Sequence, residues 1–441
     1  MYKRQPPPPP PPNGVNVPAT LDAQPLGDSK NTETLFIVRH GSRLFASTGQ
    51  WTVPDSQQTG GQVLVKSRAS ESWAEILRTP LLRVSALSSF SVPEKYSGSS
   101  SKLVLLTFTQ DGNSIAAPLQ LKWLFDDETQ FSNTFGLPTG PTASIRAFAA
   151  HDDGTSFAFF AAVRGYGIVR GQWNNGNIAW NAVPEFTLTT RSKAMASCGG
   201  ALYASMEDAL YRRNDDPLAP GQSRWTSVYV SAEAEGSGIR GLTCVSDPVS
   251  GLSLLASVEG PGLILRFDNL PADNLPNGSS MQPVVEAYVR DVIRDGLGRL
   301  GTTVPASGRG SVGYIIPAYN DFLLLNGPDN RVVYGLEWAY AGSNSCPTSR
   351  VCSEQSDFDA AACFVVRTGG AMPTHSLRCL SGTALTPRPN GQLPTTAGEA
   401  FVATRTIAPS PWSADQFYFG GYDANGIDSV GTAWVATAPI Q

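Results

Sequence analysis

One short pattern recurs along this chain and limits what it can fold into: an apolar strand that ends in small residues. It reads Leu44-Phe45-Ala46-Ser47, Phe159-Phe160-Ala161-Ala162, Leu202-Tyr203-Ala204-Ser205 and Leu254-Leu255-Ala256-Ser257. Weaker copies lie at 103–106, 333–336 and 417–420. Each strong copy follows a turn rich in Gly or Asp, namely His40-Gly41-Ser42, Asp152-Asp153-Gly154, Gly199-Gly200, and Asp247-Pro248 with Gly251. Another apolar stretch precedes each turn (145–150, 193–198, 241–245) and a third follows (168–171, 209–212, 263–267). Trp73, Trp123, Trp180 and Trp225 stand where a fourth would open. Four short strands per unit, with turn signals between them and a period of roughly 45–60 residues, describe a β-propeller blade. Strands of a β-sandwich would not share one small-residue ending and one Trp position across successive units.

Counting that signature predicts an all-β fold, a single seven-bladed propeller with six or eight blades as the alternatives. The units centre near residues 45, 105, 160, 203, 255, 334 and 418. The two longest gaps carry extra material. Residues 284–297 approximate a helical stripe and predict one short helical insertion; residues 346–379 are rich in Cys. The last unit supplies three strands before the chain ends, and an unpaired sheet edge exposes backbone donors and acceptors. A segment within residues 15–26 is therefore expected to close the ring as its fourth strand. Residues 15–441 form the propeller domain in this reading, and 1–14 a proline-rich tail. The seven prolines at 6–12 form a stiff polyproline spacer. Met1 to Gln5 resemble the remnants left at the ends of cloned environmental fragments, so Met1 is not read as a natural start.

Composition removes several function classes. The net charge is −5, and the basic residues are scattered, which argues against a nucleic-acid platform. No apolar run approaches the roughly 18 residues of a membrane span. There is no G-x-S-x-G nucleophile elbow, no phosphate-binding glycine loop and no paired C-x-x-C spacing for zinc.

The loop after each second strand carries the candidate chemistry. These loops read Gly49-Gln50-Trp51, Arg164-Gly165-Tyr166, Glu207-Asp208, Glu259-Gly260-Pro261, Glu337-Trp338 and Tyr422-Asp423. In a propeller they meet around one mouth of the channel, so Arg164, Glu207, Glu259, Glu337, Arg405 and Asp423 form a candidate ligand-binding ring. Converging oxygen ligands suit Ca²⁺, with Glu207, Glu259, Asn320 and Asp423 as the metal set. Alternatively these carboxylates cap turn amides or pair with Arg164. Asn320 and Asp321 are placed inside an inner strand spanning 314–325, facing the channel. Arg405 either bridges blades or holds an anionic group bidentately. His40 and His151 fall at matching turns on the opposite face and read as solvated turn residues.

Four of the six cysteines lie between 346 and 379. Cys346 with Cys352 and Cys363 with Cys379 is the preferred of three possible pairings. Cys198 and Cys244 occupy matching inner-strand positions, as free thiols or as a bridge. Asn277-Gly278-Ser279 is a glycosylation acceptor. Low Lys content, loop cysteines and the proline spacer favour an extracellular or cell-surface setting.

The stretches 193–213, 241–262, 318–322, 405–411, 420–423 and 432–434 resemble an uncharacterised group of propeller proteins. More distantly, the chain resembles the gluconolactonase and strictosidine-synthase propellers. That resemblance implies the fold and, in the hydrolases, a channel calcium held by Glu, Asn and Asp. The function expected is a monomeric module that binds a small molecule, glycan or protein at its channel mouth. The alternatives are a calcium-assisted lactonase or esterase, and a structural module of a larger surface protein.

Overall fold

The computed structural model describes residues 15–440 except 51–52, 54–56, 98–101, 110–119, 126–127, 134–143, 175–176, 188–191, 217–222, 232–237, 248–249, 271–279, 308–310, 321, 326–329, 341–361, 382–402 and 422–430. The proline run, the acceptor Asn277 and the pair Cys346 and Cys352 lie outside the described residues.

The described strands form seven sheets, numbered I to VII along the chain. Five are four-stranded antiparallel meanders in sequence order. Sheet I runs from Glu33–His40 to Ala74–Arg78, sheet II from Ala86–Val92 to Ser132–Asn133, and sheet III from Ile145–Asp152 to Asn177–Trp180. Sheet IV runs from Met195–Cys198 to Trp225–Val230 and sheet V from Ile239–Asp247 to Val284–Tyr288. Sheet VI is larger. Its inner edge is broken into Val312–Pro317 and Leu323–Leu324, which both pair with Val332–Tyr340, and Cys363–Thr368 and Thr374–Leu380 follow. Sheet VII comprises Thr404–Pro409, Gln416–Gly421 and Trp434–Pro439, with Thr20–Ala23 as its outer strand, antiparallel to Trp434–Pro439.

The second strands show why the repeat is written as it is. Phe157–Val163 and Val332–Tyr340 are buried at every position, because each sheet packs on a neighbour at both faces; strands covered on both sides read as unbroken apolar runs. Ala and Ser at the strand end leave room for adjacent sheets to approach. Hydrophobic clusters fill every interface between consecutive sheets, from the one between I and II to the one between VI and VII. A further cluster joins Ile37 and Leu44 of sheet I to Ala408 and Tyr418 of sheet VII, so the ring closes. Across that closure Thr34 donates to the Trp434 carbonyl at 3.0 Å, and the Ile37 amide donates to Thr406 Oγ1 at 2.8 Å. This is an all-β propeller.

Some expectations needed correction. The stripe at 284–297 divides: Val284–Tyr288 is the outer strand of sheet V, and a helix, Val289–Arg299, follows it. Pairing with Leu263–Phe267 and the capture of Glu286 by Arg266 at 3.0 Å hold the first part extended. The helix buries Val289, Ile293 and Leu297 against sheet VI, and Gly296 sits so close to Leu377 that a Cβ would lie 2.5 Å from it. Of the tryptophans, only Trp225 opens a fourth strand. Trp180 ends one, Trp73 precedes one, and Trp123 lies in a third strand. The two bridges described are Cys363–Cys379, across the hairpin of sheet VI, and Cys198–Cys244, between sheets IV and V. Among the described residues, no helix is long and apolar enough to cross a membrane.

Candidate functional site in the axial channel

Every sheet contributes its first strand to the axis. In five of these strands the ladder slips by a bulge near the start: at Leu35 in sheet I, at Arg146 and Ala147 in III, at Arg240 in V, at Gly313 and Tyr314 in VI and at Arg405 in VII. A bulge frees a residue from the ladder and re-aims its side chain. Three of the five bulges therefore turn an arginine, at 146, 240 and 405, toward the channel. The freed amides still need partners, and the small-residue ending of the second strand provides them. Ser257 Oγ accepts the Gly241 amide at 2.8 Å beside the sheet V bulge, and in sheet IV, whose ladder does not slip, Ser205 Oγ accepts the Ala194 amide at 3.0 Å just ahead of the strand. In sheet VI the inner edge makes a larger excursion between Pro317 and Leu323. It begins at Ala318 with φ 54° and carries Tyr319 and Asn320 to the axis. Asn320 Nδ2 donates to the Leu35 carbonyl of the sheet I bulge.

These residues form a charged neck. Two guanidiniums lie over the Tyr319 ring, Arg240 4.0 Å and Arg405 4.1 Å from its centroid, a double cation–π contact. Arg405 pairs with Glu337 at 2.5 Å and also with Glu33, which holds Arg83 at 2.5 Å. Glu259 accepts Lys193 at 2.7 Å, Arg240 at 2.9 Å and the Tyr314 hydroxyl at 2.6 Å. Burial alone would raise the Glu259 pKa. Arg240, Lys193 and the hydrogen bonds from Lys193 and Tyr314 outweigh it and bring the carboxyl to about 2. Glu337 moves the other way, because its burial exceeds what Arg405 returns. Burial and then the neighbouring Arg240 and Arg146 lower Lys193, against the pull of Glu259. Tyr319 is lowered despite its burial, by Arg405, Arg146, Arg240 and Arg83.

Beside the neck lies a chamber of about 460 Å³, walled by the inner strands of sheets I, II, III, IV and VII and, in sheet VI, by Phe322, Leu323 and the second strand at Val333, Tyr334 and Gly335. The neck itself is a cavity of about 60 Å³ reached by residues of sheets I to VI. The two share Phe36, Ser88, Phe148, Met195 and Asn320, so they are successive parts of one channel that all seven sheets enclose.

The predicted ring is only partly assembled. Glu259, Glu337 and Arg405 belong to the neck, but as ion-paired, buried groups. Glu207 and Arg164 are exposed on their turns. Glu207 has φ 55°, and its carbonyl holds the Ile239 amide at 2.8 Å; Gly238 beside it has φ 79° and would place a Cβ 1.9 Å from that carbonyl. Asp423 and Asp321 lie outside the described residues. Asn320 sits in the excursion, not within a strand. The described members of the calcium set, Glu207, Glu259 and Asn320, are not arranged to hold a calcium ion among themselves. Both Glu259 oxygens already serve cations and a hydroxyl, Glu207 faces solvent, and Asn320 is tied by its Nδ2 to a backbone carbonyl. Among the described residues no group of His, Cys, Asp and Glu has a metal-holding arrangement.

His40 and His151 are buried, not solvated. His151 Nδ1 lies 2.8 Å from Ser197 Oγ, and its Nε2 lies 2.8 Å from Asp215, which Arg213 holds in turn. Arg213 also grips Glu185 through two 2.8 Å bonds. The order Ser–His–Asp invites a nucleophile reading, yet the register assigns it a mechanical role. Ala149, Ala196 and Thr243 stand opposite the matching residues Phe160, Tyr203 and Leu255. His151 is thus equivalent to Cys198, and Ser197 to Cys244. The same two positions that carry a disulfide between sheets IV and V carry a His–Ser bond between III and IV. His40, at the same place in sheet I, reaches Ser89 of sheet II at 3.0 Å. A third buried cluster straps V to VI: Arg367 binds Asp247 at 2.6 Å and Glu286 at 2.5 Å, and His375 meets Glu286 at 3.0 Å.

Sequence reasoning named Arg405 but missed that its basic position recurs at the start of the inner strand. The signal was present, as Arg146-Ala-Phe-Ala, Lys193-Ala-Met-Ala, Arg240-Gly-Leu-Thr and Arg405-Thr-Ile-Ala, with a cation two residues before each apolar residue that follows a small one.

No family model matches the chain, and no curated protein matches it. Among solved structures it is similar to an ancestral GH74 enzyme, with TM-score 0.50 and 11% identity over 93% of this chain and 48% of that one. It is also similar to the RRP9 WD40 repeats (TM-score 0.49, 9% identity, 97% and 100% covered) and to YCF48 bound to D1 peptide (0.44, 15%, 97% and 98%). The chain spans about half the length of the GH74 enzyme. At such identities the likeness concerns the fold alone. None of these three is a gluconolactonase or a strictosidine synthase.

Proposed function

We propose that this protein is a ligand-binding propeller of seven blades, one per sheet, which takes its ligand into the axial channel. The observation that carries the reading is the continuity of the chamber with the neck, where bulged inner strands deliver arginines from three different sheets to one centre. A volume of about 460 Å³ falls in the range of roughly 300–1,000 Å³ usual for small-molecule sites. Polar groups converge at one end of it, as such sites require. The disulfides Cys198–Cys244 and Cys363–Cys379 suit an oxidising, extracellular compartment.

The test uses the neutral fluorophore Nile red with the full chain and with Ala150→Trp, which fills the chamber wall. Saturable binding at one site, lost in the variant while near-ultraviolet circular dichroism is retained, supports the channel. Equal binding by both proteins moves the site elsewhere. Ala196→Trp, on the next blade, repeats the test if the first variant does not fold.

A further inference from the structure

The two parts of the channel differ in chemistry, and the difference defines a ligand. Most of the chamber wall is apolar, including Phe36, Val38, Phe90, Phe148, Met195 and Ile407. The neck instead presents Arg146, Lys193 and Arg240 beside Tyr319 and Asn320. Its volume of about 60 Å³ is close to twice the roughly 30 Å³ share of a water, which suits a carboxylate and excludes a sugar ring or a nucleobase.

Charge points the same way. Three cations, Arg146, Lys193 and Arg240, line the neck cavity itself, while Glu259, which bonds Lys193 and Arg240, is not among the residues that line it. A planar carboxylate meets guanidinium forks bidentately. Resting on the channel reading above, we infer that the ligand is an amphipathic carboxylate, with its acid group in the neck against Arg146, Lys193 and Arg240 and its apolar body in the chamber.

The test displaces Nile red from the full chain with dodecanoate, dodecanol or dodecyltrimethylammonium, each below its micelle threshold. Dodecanoate is expected to act at a concentration at least tenfold lower than dodecanol, and the cation not at all. Arg146→Gln should reduce the preference for dodecanoate at least threefold, and Arg146→Lys should keep it; Lys193→Gln substitutes where Arg146→Gln does not fold. Equal displacement by acid and alcohol overturns the inference but leaves the channel site standing. So does failure of all three to displace bound Nile red. If Nile red itself does not bind, the channel reading falls and this inference with it.

Discussion

Glu259 shows at a single residue how burial and pairing compete. Its carboxyl is held at about 2 rather than near its ordinary 4.5, and Glu286, beside Arg367 and His375, is likewise held at about 2 against its own burial. A carboxyl whose pKa is lowered by folding lends stability above its unfolded pKa and loses it as pH falls toward the folded one. Stability should therefore decline between about pH 4.5 and pH 2, whereas Glu337, shifted upward, acts in the opposite sense and above that window. Denaturant unfolding of wild type and Glu259→Gln across this window checks the assignment. Removing one partner of a buried pair costs about 3–5 kcal/mol, so the deficit of the variant should be large at pH 7 and shrink toward pH 2.5. A constant deficit would contradict it. Ser197 makes the second case. As a strap, Ser197→Ala should lower stability by about 0.5–1.5 kcal/mol, and the wild-type serine should not react with a fluorophosphonate probe. Covalent labelling at Ser197 would instead make the His151–Asp215 pair a base for a nucleophile.

At the scale of elements, the repeat signature has a dual use. Its apolar part was legible as a strand because Phe, Leu and Ala run unbroken through a position covered on both faces. Its terminal Ser was legible only as a small residue, since nothing in one strand announces that a bulge in the neighbouring strand has freed an amide. Ser257 serves such an amide, at Gly241, and Ser205 serves the Ala194 amide just ahead of an unbulged strand. Ser257→Ala leaves the Gly241 amide buried without its acceptor, at a cost of about 1–3 kcal/mol, and should also weaken ligand binding by letting Arg240 drift. Ser253→Ala is the control: it lies in the same strand, but its hydroxyl bonds Asp268 at 2.7 Å, far from the neck in register. It should lower stability without changing affinity. The misread stripe at 284–297 has a related cause. Two valines and a tyrosine at helical spacing are equally at home on an outer strand, and the ion pair of Glu286 with Arg266 and Arg367 decided between the two.

For the whole molecule, closure is the dominant question. Residues 15–26 touch three sheets. Asn16–Val17 adds to sheet VI in parallel beside Thr374–Leu380, Thr20–Ala23 completes sheet VII, and Asp22 reaches Lys66 at 2.9 Å and Trp73 at 2.7 Å in sheet I. Val15, Val17 and Leu26 are buried, and each contributes roughly 1.5–3 kcal/mol on full burial. Deleting residues 1–14 should leave the melting temperature unchanged within about 2 °C. Deleting 1–30 should lower it by about 10 °C or more, and calorimetry on both truncations decides. Equal melting temperatures would mean that the ring holds without its terminal strand.

The sequence by itself determined the blades: strand, turn and small-residue ending are local patterns, and a repeat writes each of them several times. It also marked the terminal segment as the missing edge, since backbone groups at an open edge must be satisfied by some strand and few were left. Only the tertiary structure decided the site. Whether Glu259 meets calcium, solvent or two cations depends on which side chains from sheets IV, V and VI converge on it. Those partners are separated by tens of residues, and their direction is set by bulges, which leave no mark in composition or period. Charge at the axis is a property of the assembled ring, so it becomes readable only when the ring is closed.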